Sequence, residues 1–342
     1  MPTVLATPLP SMRTRASQFF FMTATFNKSP SSNTDLIALL KARGLHIPDA
    51  RQTERALSTI GYYRLSGYTL LLETPGTFTI VGTTSLYTRS HAFRAGASFR
   101  QLLVLQQFDQ ELHLMVLKAL LKLEVTARSV INNHMALKYN DPHWYLNPAL
   151  FDRRYVTPRP GRPKSGHDLL LEEIARETGQ RNPKRRTAFS TYYYTVFNAP
   201  SLPPSWMVAE QLSFGSWSVI YSQLGSSRGR KDIADRFNVG PNELESWLRA
   251  LAYLRNMCAH QNRLLGVNFV QTPMASRKLP VGIRNTSFAA FVAVIHHLLR
   301  EIEPGHVWVS ELKDLFRKYP SVDKHALLGF PVRWSQRTFW RS

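Results

Sequence analysis

Cysteine is almost absent from the 342-residue sequence. A single one, Cys258, excludes an intramolecular disulfide and any multi-cysteine zinc site. That shortage favours a reducing compartment. Also missing is an uninterrupted apolar run of about 18 residues, the length a membrane-spanning helix requires. The block Phe19-Phe20-Phe21-Met22 is too short to serve, so a soluble chain that does not enter a membrane is expected. Acids are scarce as well, with 23 Asp and Glu against 43 Lys and Arg and a formal net charge of +20. Charged residues make up 19% of the chain, below the usual share of about 25%. The imbalance therefore comes from missing acids rather than surplus bases. Such a surface attracts polyanions, nucleic acid first and anionic membrane second.

Familiar catalytic signatures are lacking too. The stretch Gly225-Ser226-Ser227-Arg228-Gly229-Arg230-Lys231 has neither the spacing nor the preceding strand of a phosphate-cradling loop. No His-Glu-x-x-His and no Gly-x-Ser-x-Gly pattern occurs, which leaves zincin and hydrolase-elbow chemistry without footing. His296 and His297 lie in an apolar helical stretch and read as core or interface residues. No metal or cofactor is expected.

What is present is helical periodicity. Residues 1–34 carry Arg13, Arg15 and Lys28 without a single acid and read as a disordered tail. Short helices are predicted over Thr34–Leu40 and Asp49–Leu57, with Gly44 as a stop between them. Thr74 to Gly96 has the Thr, Phe, Ile, Val and Tyr content of a small hairpin or irregular excursion. From Phe99 to Tyr139 there is no Gly or Pro, and apolar residues step by three or four from Leu102 to Val130, which predicts one long amphipathic helix, broken at most once. Asp152 to Arg186 is rich in Arg and Lys and opens with the Pro-rich run 157–163, so a basic loop insertion is expected at 152–186. Further helices are predicted from Trp206, over Asp232–Phe237, from an Asn242 cap through about Leu265, and over Phe288–Glu301. The fold class is therefore all-α or nearly so. The expected divisions are the tail 1–34, an N-terminal helical and irregular region 35–98, a helical domain 99–302 and a basic C-terminal extension 303–342.

One constellation carries chemistry. Arg255 and His260 sit five positions apart near the middle of a predicted helix. RNA is cut without a metal when one group handles the proton of the attacking 2′-hydroxyl and a fixed cation stabilises the phosphorane. Histidine suits the first role and arginine the second. The products are a 2′,3′-cyclic phosphate and a 5′-hydroxyl. Spacing alone is a weak signal, because Arg128/His134, Arg162/His167 and Arg300/His306 repeat it within one residue. Five helical steps also set the two side chains roughly 140° apart around the axis, an arrangement that flanks a cleft rather than sharing a stripe. In an equally open reading, Arg255 pairs with a carboxylate such as Glu124 or Glu243 and His260 is merely packed. The run Ile60-Gly61-Tyr62-Tyr63-Arg64-Leu65-Ser66-Gly67-Tyr68 offers stacking faces and a guanidinium, and fits both an RNA contact and a packed turn.

Several ordered blocks add a resemblance. They are Arg43-Gly44-Leu45-His46-Ile47, Ile60 to Tyr68, Leu123-Glu124-Val125-Thr126-Ala127-Arg128, Pro203-Pro204-Ser205-Trp206-Met207 with Glu210 to Gly215, and Leu254-Arg255-Asn256-Met257-Cys258-Ala259-His260-Gln261-Asn262-Arg263-Leu264. Together they resemble the Abi-like (abortive infection) proteins of the HEPN superfamily, from about Leu36 to Leu265. The resemblance implies a HEPN-type helical bundle with an N-terminal helical extension, often a homodimer, whose Arg and His form a composite RNase site. It assigns Arg255 and His260 as catalytic and Asn256 as the residue that orients them. It also implies antiphage defence in a bacterial cytoplasm and RNA as substrate. In the alternative it implies, the chain is a non-cleaving protein that holds a structured noncoding RNA. RNA contacts are expected at Tyr62, Tyr63, Arg64, Arg153, Arg154, Lys184, Arg185, Arg186 and Arg263.

Overall fold

The computed structural model describes residues 29–341 apart from 82–83, 153–155, 158–163 and 226–228. Most of the expected tail, the Pro-rich run after Thr157, and Arg153 and Arg154 lie outside the described residues. The architecture is all-α, with two small two-stranded hairpins among the described residues.

Three short helices come first: α1 (Asn33–Ala42), α2 (Ala50–Thr59) and α3 (Tyr62–Thr69). Ser32 and Asp35 close a reciprocal capping box on α1, and Asp49 caps α2 through the Gln52 amide. Both satisfy amides that a helix start leaves without partners. The Ile60–Tyr68 stretch is thus a helix rather than a turn, because Leu65, Tyr68 and Thr69 have a core to face. The expected excursion is a hairpin of β1 (Thr77–Val81) and β2 (Thr84–Thr88), paired from Thr77 with Thr88 to Val81 with Thr84.

The axis of the molecule is α4 (Phe99–Tyr139), 41 residues without a break and about 60 Å long at 1.5 Å per residue. A Ser98/Gln101 capping box starts it, and Asn140 ends it in the left-handed region at φ 48°. Phe108, Leu112, Val116, Leu120, Leu123, Ala127, Ile131 and Met135 face inward and are buried. A helix this long is marginal by propensity alone and is held by packing of that stripe.

After a second hairpin, β3 (Val156–Thr157) with β4 (Lys164–Ser165), the chain forms α5 (Gly166–Glu177), α6 (Ala188–Val196), α7 (Ser205–Ala209), α8 (Phe214–Gln223), α9 (Lys231–Asp235) and α10 (Pro241–Ala259). The remaining helices are α11 (Phe288–Ile302), α12 (Trp308–Lys318) and α13 (Lys324–Leu328). Helices α3, α7, α8, α9, α10, α11 and α12 all pack on α4, and α8 also packs on α10. Every residue of α11 from Phe288 to Leu299 is buried, the signature of a helix apolar on all sides. His296 and His297 are core residues, as expected. His296 contacts the Phe339 carbonyl at 2.8 Å and His306 at 3.2 Å, and His297 contacts the Phe237 carbonyl at 3.1 Å.

Two expectations need correction. Residues 152–186 are not one basic loop, since α5 occupies Gly166–Glu177 and buries Leu170 and Ile174. Helix α10 starts at Pro241 behind a Gly240 cap rather than from Asn242, and it stops at Ala259 rather than near Leu265. The stop is a left-handed Gln261 at φ 53°, with the Gln261 amide bonded to the Cys258 carbonyl and the Asn262 amide to that of Met257. This is the two-bond termination that usually employs glycine. Periodicity runs past it because Leu264 and Leu265 are also fully buried.

Candidate functional site

The site forms where the end of α10 meets the middle of α4. Arg255 lies on the last full turn of α10, and His260 is its C-terminal cap, exposed to solvent.

Arg255 is held from below by Glu124 of α4. Its Nε lies 3.5 Å from Glu124 Oε2, and Arg128 Nη2 donates to Glu124 Oε1 at 2.5 Å. Arg128 also reaches Glu210 at 3.8 Å. The Glu124 side chain is only 6% exposed, Arg128 12% and Arg255 33%. A carboxylate at that depth is tolerated because two guanidiniums compensate it. Arg255 Nη1 donates to Asn256 Oδ1 at 3.4 Å, and Asn256 itself is exposed. Of the open reading, the Arg255–Glu124 ion pair is present but the packed His260 is not, since His260 is exposed, and Glu243 instead accepts the Gly240 amide at 2.7 Å.

The residues after His260 fix the end of the helix. Asp109, fully buried on α4, accepts the Leu264 amide at 3.2 and 3.3 Å and the Tyr68 hydroxyl at 2.8 Å. Burial raises the Asp109 carboxyl above its ordinary range. His113 bridges two carbonyl oxygens, those of Asp109 at 2.5 Å and Asn262 at 2.8 Å. Arg263 is half-buried beside Asp109 and Tyr68, and burial lowers its pKa. Arg64 of α3 donates to the Gln261 side chain and, at 3.5 Å, to the Gln261 carbonyl. A cavity of about 110 Å³ lies here, lined by Arg64, Gln110, His113, Cys258, Ala259 and Gln261 among others. Cys258 is buried there, with its thiol pushed up to about 12, and is no nucleophile at neutral pH.

The expected site residues thus divide. The expected catalytic residues Arg255, Asn256 and His260 lie at the end of α10, with the expected RNA contact Arg263 three residues on, and Arg64 contacts Gln261. Tyr63 is 92% exposed, whereas the Tyr62 hydroxyl accepts from Arg43 at 3.3 Å. Lys184, Arg185 and Arg186 lie on the segment between α5 and α6. Asp109 and Gln261 as the supports of the helix end were missed by sequence reasoning, because each is a single polar residue whose partner is remote in sequence. Among the described residues, no three His, Cys, Asp or Glu side chains come together as a metal-holding group.

This is an all-α protein whose long central helix supports an Arg/His pair at the end of a second helix. The family model for Abi-like protein matches residues 55–266, more than half the chain, and the protein belongs to that family. It is thereby an abortive-infection-type protein of antiviral defence. No curated protein and no solved structure matches it. No helix among the described residues is long and apolar enough to cross a membrane.

Proposed function

We propose that the protein is a metal-independent HEPN-type endoribonuclease acting in a bacterial cytoplasm. The observation that carries this reading is an Arg255 buttressed by Glu124 and an exposed His260, both at one helix end. In the proposed reaction, His260 takes the proton of a ribose 2′-hydroxyl as that oxygen attacks the adjacent phosphorus. Arg255 stabilises the extra negative charge on the phosphorane, and Asn256 steadies the guanidinium. The P–O5′ bond breaks, the leaving 5′-oxygen takes a proton from water, a 2′,3′-cyclic phosphate remains, and His260 gives its proton back to solvent. Glu124 is a positioning residue that keeps the Arg255 fork in place without touching RNA.

A homodimer suits the reading. Leu114, Leu121 and Val125 of α4 are 64%, 52% and 55% exposed, and their spacing puts them within about 40° of one another. Glu124 and Arg128 flank this stripe on the same helix. A second copy seated on it would bring two Arg/His pairs into one site. The alternative, a non-cleaving protein that holds a structured noncoding RNA, draws support from the net charge of +20.

The test is cleavage of RNA in EDTA by the wild type, His260→Ala and Arg255→Ala. Loss of general base catalysis should slow cleavage about 10²- to 10⁴-fold, with RNA affinity nearly unchanged for His260→Ala. Undiminished cleavage by His260→Ala would overturn the reading, and RNA binding without cleavage by the wild type would establish the alternative.

A further inference from the structure

Helix α6 presents an aromatic face that none of the described residues covers. Phe189, Tyr192 and Val196 are 64%, 56% and 54% exposed, and their spacing of three and four places them on one stripe. Phe197, 47% exposed, continues it, with its ring 6.1 Å from that of Tyr192. The helix is anchored from its other side. Tyr193 is buried with its hydroxyl donating to the Pro200 carbonyl at 2.7 Å, and Tyr194 contacts Thr178 Oγ1 at 2.8 Å. The exposed rings are therefore not a by-product of a loose helix.

The segment leading into α6 is equally built. Arg186 turns inward, donating from Nε to the Gly179 carbonyl at 3.0 Å and stacking on Tyr194 at 4.5 Å. Gly179 has φ +70°, and a Cβ there would lie 2.7 Å from Arg186 Cγ, so the close approach demands glycine. With Arg186 so engaged, Arg181, Lys184 and Arg185 are left exposed, and none of the three has an ion-pair partner among the described residues. Arg181 and Arg185 line a cleft of about 730 Å³ with Leu171, Arg176, Leu202 and Glu172, whose carboxylate is paired with Lys164. Helix α6 springs from one wall of that cleft, just after Arg185, and the chain returns to it at Ser201 and Leu202.

We infer that α6 and the cleft at its base form a docking surface for unpaired RNA, with Phe189, Tyr192 and Phe197 stacking bases and Arg181, Lys184 and Arg185 holding phosphates. This deepens the proposed RNase reading and rests on it. Exposed rings beside cations lacking carboxylate partners match the two components of single-strand recognition. A duplex keeps its base faces stacked and offers the rings nothing. An apolar face alone would also suit protein docking, but three free cations on the same segment favour a polyanion.

The experiment measures binding of the full-length protein to a labelled unstructured 2′-O-methyl oligonucleotide, which lacks the 2′-hydroxyl needed for cleavage, and to a blunt RNA duplex. Phe189→Ser/Tyr192→Ser should weaken single-strand binding about tenfold or more, leaving the salt slope and duplex affinity unchanged. Arg181→Gln/Lys184→Gln/Arg185→Gln should reduce the log–log salt slope by about 2, at roughly 0.7 per phosphate contact. Wild-type affinity in the aromatic variant, or an unchanged salt slope in the charge variant, overturns the inference. So does an aromatic variant that loses an oligomeric state but no RNA affinity, which would make the face a protein interface. Wild type that binds neither nucleic acid removes the RNase reading together with this one, whereas wild-type binding untouched by the variants removes only this one.

Discussion

Glu124 is the residue on which the site depends. It lies between Arg128 and Arg255 and is the most buried of the three. Removing one partner of a buried ion pair costs more than the pair itself contributes, because the remaining charge is left uncompensated. Glu124→Gln leaves two guanidiniums facing each other, and we expect it to destabilise the fold by about 2–4 kcal/mol. Arg255→Gln leaves Glu124 still paired with Arg128 and should cost under about 1 kcal/mol. Chemical denaturation of the two variants checks this, and equal losses would contradict the arrangement. Glu124→Gln should also slow cleavage mainly through kcat, since it loosens Arg255 without removing an RNA contact.

At the scale of elements, the fold rests on helix ends as much as on helix faces. Gly329 ends α13 at φ +77°, and a Cβ there would lie 2.5 Å from that of Ser287, which caps α11. Gly329→Ala therefore meets both a strained backbone and a clash, and it should cost at least 1–2 kcal/mol. Thermal unfolding measures this, and a neutral substitution would refute the contact. The same dependence explains what the sequence disclosed. Helix α4 was legible because apolar residues recur at helical spacing and no Gly or Pro interrupts it. The end of α10 was not, because Gln261 gives no sign of a left-handed conformation and the buried Leu264 and Leu265 extend the helical pattern. Helix α5 was hidden by the basic residues around it, although Leu170 and Ile174 sit at helical spacing. Arg255 and His260 were legible as residue types at a spacing, and Glu124 as one candidate partner, but the Asp109–Leu264 latch needed the fold.

For the whole molecule, charge and buried histidine govern response to conditions. Burial pushes His296 down to about 4 from its ordinary 6.5, and it also lowers His297 and His306. Between those values the unfolded chain binds a proton that the folded chain refuses, so protonation favours unfolding. Stability should be full above about pH 6.5 and fall as pH drops toward 4, by up to about 1.4 kcal/mol per pH unit for each such group. Paired carboxylates such as Glu73 and Glu111, whose pKa values are lowered, add losses at still lower pH. Asp109 acts in the opposite sense, since its raised pKa favours the folded state as pH falls. Denaturation midpoints at pH 7.5 and pH 5 should differ accordingly, and equal midpoints would contradict the buried neutral histidines. The net charge of +20 predicts in turn that RNA affinity drops steeply with salt.

The central claim, that Arg255 and His260 cut RNA by attack of the 2′-hydroxyl, is tested most directly by mapping the ends left on total RNA incubated in EDTA. Wild type should leave 2′,3′-cyclic phosphates and 5′-hydroxyls, and His260→Ala should leave RNA intact. The same ends from both proteins, or intact RNA with wild type, would contradict it.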